Sequence, residues 1–365
     1  MSFNIGFFTV AMLAGVVSSM GQPAPHGASP HAPRPGTAPH GHGMPQTAGA
    51  TATSTTTPAA GAALVVVAGA GTAGFVDGTG AEARFNKPIR LAPFGPDAVV
   101  VADIFNHALR VVTMQGEVRT LTGAPDQKGH SDGPAAGAWF NSPHGVGTSA
   151  DGRIAVAEAG NHTLRLLTPE KRVAGGYTVT TLAGVPSEKG LRNGPAAQAL
   201  FNSPHAALWA ADGALVAPDI GNAVLRRVSH GEVTTLAGDG TEKFVYPMDI
   251  AWARDGRLLV ADAGANLLRT VDEKGVVGTV TTSAPLKTPH GVAVGPDGTV
   301  YVADMGTHRV LAIDAAGTVT TVAGVEGEAG SDDRHLNKPA AVLVHAGWLW
   351  IADLDNHRIV AVAVK

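Results

Sequence analysis

A proline-led phrase that recurs six times constrains the fold of this chain more than any other sequence feature. Its fullest copy begins with Phe140-Asn141-Ser142-Pro143-His144 and closes with Val-Thr-Thr-Leu-Ala-Gly at residues 179–184. Successive leading prolines lie 42 to 61 residues apart, a period typical of propeller blades or helical solenoids. The leading prolines are Pro88, Pro143, Pro204, Pro247, Pro289 and Pro339.

The pattern inside each unit favours strands over helices. Two short apolar runs flank a turn pair such as Asp297-Gly298, and this arrangement predicts a β-hairpin. A threonine-rich run such as Val233-Thr234-Thr235-Leu236 then supplies a further, outer strand. Four short strands per unit, A to D, make a propeller blade. We therefore predict an all-β, six-bladed β-propeller.

The two ends of the repeat region predict how the ring closes. The sixth unit stops at residue 365 without its outer Val-Thr-Thr strand, whereas a spare strand, Leu64–Gly69, precedes the first unit. We expect this N-terminal strand to complete the last blade, because closure removes the exposed sheet edges that invite aggregation.

The chain before the repeats divides into two segments. Residues 5–17 are an apolar run too short to span a bilayer and followed by small residues, so residues 1–21 read as a signal peptide cleaved near residue 20. An uncleaved anchor is the alternative. Residues 22–61 are rich in Pro, Ala, His and Thr, which predicts a disordered linker before a propeller at 62–365. A secreted or periplasmic protein is expected.

Charge and cysteine content exclude several functions. The formal net charge is −4 with no basic run, so nucleic acid is not an expected partner. No later stretch predicts membrane insertion once the signal is removed. The absence of cysteine excludes disulfides and thiolate catalysis. We expect a monomer.

The turn after strand B carries a recognisable triplet. Through these triplets the chain resembles NHL-repeat propellers over residues 64–365, and units three and four keep only Asn222 and Asn266. The resemblance implies the propeller fold but not one activity, since the family includes binding modules, scaffolds and enzymes. The triplets are Asn106-His107-Ala108, Asn161-His162-Thr163, Thr307-His308-Arg309 and Asn356-His357-Arg358.

The residue after each leading proline varies between blades and is the candidate active position. His144, His205 and His290 occupy it in blades two, three and five, at the mouth of the axial channel. Converging imidazoles can hold one divalent metal ion, such as zinc or calcium, with a position open for substrate. The Pro-His pairs resemble the metal ligands of the peptidyl-alpha-hydroxyglycine amidating lyases, and this resemblance implies the same role here. Unlike those lyases, the chain has no tyrosine or arginine in its B–C loops of the kind that they use. Local hydrogen bonding by each histidine is the other interpretation.

Neighbouring positions suggest a polar ligand site. Arg90 and Asp249 stand one residue further on in blades one and four, where the other blades have Gly or Ala, and Met248 is the blade-four counterpart of the histidines. We expect these three residues to orient a ligand, with a structural ion pair as the alternative. The long D–A connections at 70–84, 124–139, 185–200 and 325–335 should lie on the same face.

A carboxylate at the end of strand B and an arginine in strand C occur in all six units. Because a catalytic group should break the repeat symmetry, we predict structural roles, with the carboxylate capping the backbone amides of the B–C turn. The carboxylates are Asp103, Glu158, Asp219, Asp262, Asp304 and Asp353, and the arginines are Arg110, Arg165, Arg226, Arg269, Arg309 and Arg358.

Two functions follow. The first is an exported module that binds a protein or small-molecule ligand through its loop-rich face. The second is a metal-dependent lyase or hydrolase with an axial metal on His144, His205 and His290.

Overall fold

The structure is a computed structural model and describes residues 63–171 and 176–364. The predicted signal peptide (1–21) and linker (22–61) lie outside the described residues. The described part of the chain is an all-β propeller of six antiparallel sheets, as predicted. No helix among these residues is long and apolar enough to cross a membrane.

Strand A is innermost in each blade and strand D is near the rim. The first strand of the chain is β1 (Val65–Ala68). Blade one contains β2 (Gly78–Thr79), β3 (Pro88–Phe94), β4 (Ala98–Asp103), β5 (Ala108–Thr113) and β6 (Glu117–Thr122). Blade two contains β7 (Gly133–Pro134), β8 (Pro143–Thr148), β9 (Ile154–Glu158), β10 (Thr163–Pro169) and β11 (Tyr177–Ala183). Blade three contains β12 (Gly194–Pro195), β13 (Leu208–Trp209), β14 (Leu215–Asp219), β15 (Val224–Ser229) and β16 (Glu232–Ala237).

The remaining blades have four strands each within the described residues. Blade four contains β17 (Pro247–Trp252), β18 (Leu258–Asp262), β19 (Leu267–Val271) and β20 (Val277–Thr279). Blade five contains β21 (Pro289–Val294), β22 (Val300–Asp304), β23 (Arg309–Ile313) and β24 (Val319–Ala323). Blade six contains β25 (Pro339–His345), β26 (Trp348–Asp353) and β27 (Arg358–Ala363), with β1 as its fourth strand. Single 3₁₀ turns lie at Gly80–Glu82, Ile104–Asn106, Ala135–Gly137, Ile220–Asn222, Met305–Thr307 and Leu354–Asn356.

The ring closes through its first strand, which confirms the sequence prediction. Strand β1 pairs antiparallel with β27, and Val65 lies opposite Ala361. It therefore serves as strand D of blade six. Leu64 packs into the apolar cluster between blades five and six. Pairing of β1 covers an edge of β27 that would otherwise be free to pair with another chain.

Part of each long D–A connection in blades one to three is strand rather than loop. Strands β2, β7 and β12 each add two residues outside strand D, as where Gly133 lies opposite Val179. The sequence did not predict these short strands. Two paired residues are too few to leave a period-two pattern, yet they cover part of the outer edge of the blade.

The hydrophobic core lies between neighbouring blades rather than in one centre. Apolar side chains from adjacent sheets form a cluster at each of the six blade interfaces. Phe140, for example, packs with Val100 of blade one and Val156 of blade two. Because strand B is covered on both faces, it reads as a continuous apolar run such as Val99–Ala102.

The carboxylates at the ends of strand B are structural, but their predicted target was wrong. Each accepts a hydrogen bond, at 2.6–3.0 Å, from the backbone N–H of the residue two places before the leading proline of its own blade. The amides of the B–C turn are not its target. In blade one, Asp103 accepts from Asn86 at 2.7 Å and also from the side chain of Asn106. The carboxylate therefore anchors the approach to strand A, because that segment otherwise has unpaired amides.

The strand-C arginines connect the same carboxylates to the D–A connection. Arg226 is fully buried, lies 4.7 Å above the Phe201 ring, and donates to Asp219, to two main-chain oxygens and to Asn193. Arg110 and Arg165 make equivalent sets of bonds. Each arginine thus fixes a long loop to its blade through charge-assisted hydrogen bonds.

The histidines of the Asn-His triplets connect one blade to the next. Nδ1 of His162 accepts the N–H of Ser203 at 3.0 Å, and Nδ1 of His357 accepts the N–H of Lys87 at 3.1 Å across the closure of the ring. His107 and His308 make the same contact. All four adopt left-handed backbone conformations with φ between 50° and 60°. Asn266 takes this role in blade four, where its side-chain oxygen accepts from Thr288 at 2.7 Å.

Candidate functional site

A β-bulge at the start of strand A creates the variable position at the channel mouth. Pro143 lies opposite Glu158 and Gly145 lies opposite Ala157, so His144 between them has no partner on strand B. The same register shift isolates His290. Because a bulge inserts one extra residue and re-aims its side chain, this position is free to differ between blades. The repeated scaffold therefore carries a non-repeated ring of side chains.

The structure brings the three predicted histidines together. The rings of His144 and His205 stack with centroids 3.6 Å apart and planes inclined by 24°. The centroid of His290, from the opposite blade, lies 6.0 Å from that of His144. His144 and His290 are buried and His205 is half-buried. Sequence reasoning placed them at one mouth but did not predict the stacking.

Hydrogen bonds fix the tautomers of two of these imidazoles. Nδ1 of His144 lies 2.9 Å from the carbonyl oxygen of His205, and Nδ1 of His290 lies 2.8 Å from that of Ala340. A carbonyl oxygen only accepts, so each Nδ1 must carry the proton and each Nε2 holds a lone pair. Neither Nε2 makes a hydrogen bond to another described residue.

His205 is held differently. Its Nε2 lies 3.2 Å from the hydroxyl of Ser203, while its Nδ1 is buried and has no hydrogen-bond partner among the described residues. A buried nitrogen without a partner carries a desolvation cost, which a ligand or an ordered water would remove. The three rings therefore leave three ring nitrogens uncommitted.

The site keeps these imidazoles uncharged. Burial lowers the pKa of His290 to about 3, and the nearby Arg90 guanidinium contributes to the decrease. Burial also places the pKa values of His144 and His205 well below their usual value, with neighbouring histidines and Arg90 adding to the effect. At neutral pH all three rings are therefore lone-pair donors, able to accept a hydrogen bond or to ligate a metal.

Arg90 and Asp249 pair with each other across the channel axis. Nη1 of Arg90 contacts Oδ2 of Asp249, and its Nη2 donates to the carbonyl oxygen of Met248 at 3.0 Å. Asp249 also accepts the N–H groups of Ile250 and Val292 at 2.8 and 2.9 Å. Burial raises the pKa of Asp249 and lowers that of Arg90, and each charge opposes the shift of the other. The two residues therefore form an ion pair, and the ligand-orienting role predicted from the sequence stays a prediction.

Met248 has a different place from the histidines. It is half-buried at the bulge of blade four, and its carbonyl oxygen accepts a hydrogen bond from Arg90. Its thioether adds an adaptable apolar surface to the mouth. The bulge positions of blades one and six, Ile89 and Ala340, are apolar and buried.

The loop-rich face around the mouth also carries exposed apolar side chains. They come from the D–A connections, the B–C turns and the residues just before strand A. Isolated exposed apolar residues are common, but here several share the face of the histidines. They are Val76, Phe105, Trp139, Leu191, Val245 and Tyr246.

No group of three or more His, Cys, Asp or Glu side chains among the described residues is arranged to hold a metal ion. The donor chemistry of His144, His205 and His290 nevertheless suits zinc better than calcium, because calcium prefers oxygen ligands. Metal-ligating histidines commonly donate their second ring N–H to a carbonyl oxygen, as His144 and His290 do.

Two segments of the chain match a known repeat family. The NHL repeat family model matches residues 140–165 and 286–313, which hold strands A and B of blades two and five, the start of strand C of blade two and strand C of blade five. The chain is a β-propeller that contains NHL repeats. No curated protein matches this chain.

Solved structures share the fold at low sequence identity. A Bacteroides thetaiotaomicron protein of unknown function is 19% identical, with a TM-score of 0.64 over 83% of this chain and 76% of that chain. An auxiliary nutrient binding protein from Bacteroides ovatus is 16% identical, with a TM-score of 0.60 over 83% and 77%. A catalytically inactive virginiamycin B lyase from Staphylococcus aureus, in complex with quinupristin, is 13% identical, with a TM-score of 0.54 over 80% and 98%. At these identities the likeness shows the fold alone.

Proposed function

We propose that this protein is an exported binding module that takes a ligand at the axial mouth of its loop-rich face. The uncommitted ring nitrogens of His144, His205 and His290 carry this proposal. They are neutral, fixed in position and surrounded by apolar surface, and such sites orient a ligand through a few well-placed polar groups. A partner with hydroxyl or amine donors fits them best.

The scaffold supplies the rigidity that such a site needs. Each bulge position follows a proline whose blade is joined to its neighbours, so the histidines move little relative to one another. The similarity to auxiliary nutrient binding proteins supports a binding role, although those proteins are only 14–16% identical. The ligand then binds without a large ordering cost, because the site exists before the ligand arrives.

A thermal-shift screen of small polyols, amino sugars and amines at pH 7 tests this proposal. A compound present at about 100 times its Kd should stabilise the wild type by about 2.7 kcal/mol. The stabilisation should disappear in a His144→Ala/His290→Ala variant. It should persist in His162→Asn, which alters a histidine outside the mouth. Equal stabilisation of all three proteins would place the ligand elsewhere.

A metal-dependent lyase or hydrolase is the second candidate. The fixed Nδ1–H groups of His144 and His290 favour it, because they leave both Nε2 atoms available as ligands, with Nδ1 of His205 as a third. A metal held there would act as a Lewis acid on a substrate oxygen or on water. The resemblance to the amidating lyases rests on these histidines only.

Elemental analysis separates the two candidates. The metal-dependent enzyme requires about one zinc or similar ion per chain, lost in the His144→Ala/His205→Ala/His290→Ala variant. Metal-free wild-type protein that still binds a ligand would exclude the metal-dependent enzyme and support the binding module. Sequencing the N-terminus of the protein recovered outside the cytoplasm tests export, with cleavage expected near residue 20.

A further inference from the structure

The axial channel contains a cavity on the side of the Arg90–Asp249 pair away from the histidines. The cavity has a volume of about 330 Å³, which lies within the range of small-molecule sites. All six blades line it with the second half of strand A, toward the A–B turns. None of the three histidines lines it, nor does Met248. It is therefore separate from the mouth described above.

The wall of this cavity is mainly apolar. Leu91, Val146, Leu208, Val292 and Val342 come from five different blades and line the cavity. Their combined surface favours an apolar ligand body, because its transfer from water releases hydration free energy. The only ionisable groups that line the cavity are Arg90 and Asp249.

Two tryptophans on neighbouring blades form part of the same lining. Nε1 of Trp252 donates to the carbonyl oxygen of Trp209 at 2.9 Å, and Nε1 of Trp209 donates to that of Gly147 at 3.2 Å. The Arg153 guanidinium lies 4.7 Å above the Trp209 ring. These contacts hold both indoles across blades two, three and four, while Trp252 keeps 36% of its surface exposed. Rigid, exposed indoles are favourable stacking partners for a planar ring.

Arg90, which lines the cavity, has a buried hydrogen-bond donor without an acceptor among the described residues. Arg90 is only 4% exposed, and its Nε–H has no partner among the described residues. Because Asp249 already balances the charge of Arg90, this part of the cavity is electrically neutral overall. An anionic ligand would therefore gain little, whereas a neutral oxygen acceptor would satisfy the buried N–H.

We infer that this cavity is a second binding site, for a neutral ligand with an aromatic ring and a terminal carbonyl or hydroxyl oxygen. The ring lies against Trp252 and Trp209, and the oxygen accepts from Nε of Arg90. The site opens on the face opposite the histidines, so it takes a different molecule from the one that binds there. It does not depend on the proposed function of the loop-rich face.

Fluorine NMR of the full chain with para-trifluoromethylbenzamide tests the inference. This probe is neutral, aromatic and carries a carbonyl oxygen, and its signal should broaden and shift on addition of wild-type protein. Trp252→Ala should weaken binding by about tenfold through loss of the stacking surface. Trp139→Ala removes a similarly exposed tryptophan from the other face and should leave binding unchanged.

A second variant tests the donor without leaving a buried charge. In Arg90→Met/Asp249→Asn both charges are removed together, so the fold is expected to survive, and circular dichroism checks that it does. Binding of the probe should fall by about tenfold or more. Tighter binding of para-trifluoromethylbenzoate than of the amide would overturn the assignment of a neutral ligand. No binding to the wild type, or equal binding to the wild type and Trp252→Ala, would overturn the site itself.

Discussion

His162 shows how a short sequence signature produces a contact between blades. Its left-handed conformation (φ 59°) ends the B–C turn, and its ring then reaches the first backbone amides of blade three. The residue that donates, Ser203, also has a positive φ of 60°. Two strained residues at this junction are tolerated because the hydrogen bond between blades offsets part of the cost.

Replacing His162 should reveal the value of this contact. His162→Ala removes the acceptor and leaves alanine at positive φ, so we expect a loss of about 1–3 kcal/mol in the free energy of unfolding. His162→Asn should lose less, because asparagine tolerates this conformation and Asn266 already makes the equivalent bond in blade four. Urea unfolding of both variants measures the difference. Equal losses would mean that the hydrogen bond contributes nothing.

The buried His290 should make stability dependent on acid. Its pKa is about 3 in the folded protein and about 6.5 in the unfolded chain. Between these two pH values the unfolded chain therefore binds a proton that the folded protein does not bind. This contribution to stability is complete above pH 6.5 and is lost progressively as the pH falls toward 3. In chelator-treated protein, the wild type should lose about 1.4 kcal/mol per pH unit relative to His290→Gln between pH 6 and 4. Parallel curves of unfolding free energy against pH would contradict the burial of a neutral ring.

At the scale of the element, the strand-C arginines convert long loops into ordered parts of the blade. Arg226 is fully buried with four partners, whereas Arg269 donates to a single described residue, the exposed Glu242. The difference follows the D–A connections, since the one that enters blade four is short and contributes no outer strand. The same sequence position therefore has unequal importance in different blades.

A matched pair of substitutions measures this inequality. Arg226→Lys loses the planar fork and leaves main-chain oxygens unpaired, so we expect a cost of about 3 kcal/mol or more. Arg269→Lys should cost less than about 1 kcal/mol, because lysine can still reach Glu242. Thermal unfolding gives both values, and hydrogen exchange should show faster opening of residues 187–200 in Arg226→Lys alone. Similar costs at both positions would contradict the assigned roles.

The elements were predictable to the extent that they repeat. Leading prolines, Asp-Gly turns and threonine-rich runs occur at regular positions, and the blades follow from them. Asn266 was harder to place, because in the sequence it looks like the Asn of the triplet, whereas its backbone and its bond to Thr288 put it at the His position. The sequence predicted a structural role for the carboxylates but not their partners. The backbone N–H groups that donate to them lie 16 or 17 residues earlier in the chain, too far for a local sequence pattern to indicate.

At the scale of the whole molecule, the strand β1 determines whether six blades form a closed ring. A chain that starts at residue 70 lacks this strand and exposes the edge of β27, so its melting temperature should fall by at least about 10 °C relative to a chain that starts at residue 62. The truncated protein should also associate at high concentration. Differential scanning calorimetry with light scattering measures both effects, and coincident melting curves would show that closure adds no stability.

The site depends on the ring more than on any one blade, and this limits prediction. Bulge positions in separate repeats could be aligned from the sequence, so the meeting of His144, His205 and His290 was foreseeable. The pairing of Arg90 with Asp249 joins residues 159 positions apart on opposite blades, and only the diameter of the ring decides that they touch. Stacking of His144 on His205 depends in the same way on the spacing between adjacent blades.

The position of the Arg90–Asp249 pair affects how ligands could enter and leave the axial channel. It spans the axis between two opposite blades, with the three histidines on one side and the cavity on the other. If both proposed ligands bind, a molecule on either side would enter and leave through the opening on its own side. The residence time on one side would then be independent of the ligand concentration on the other.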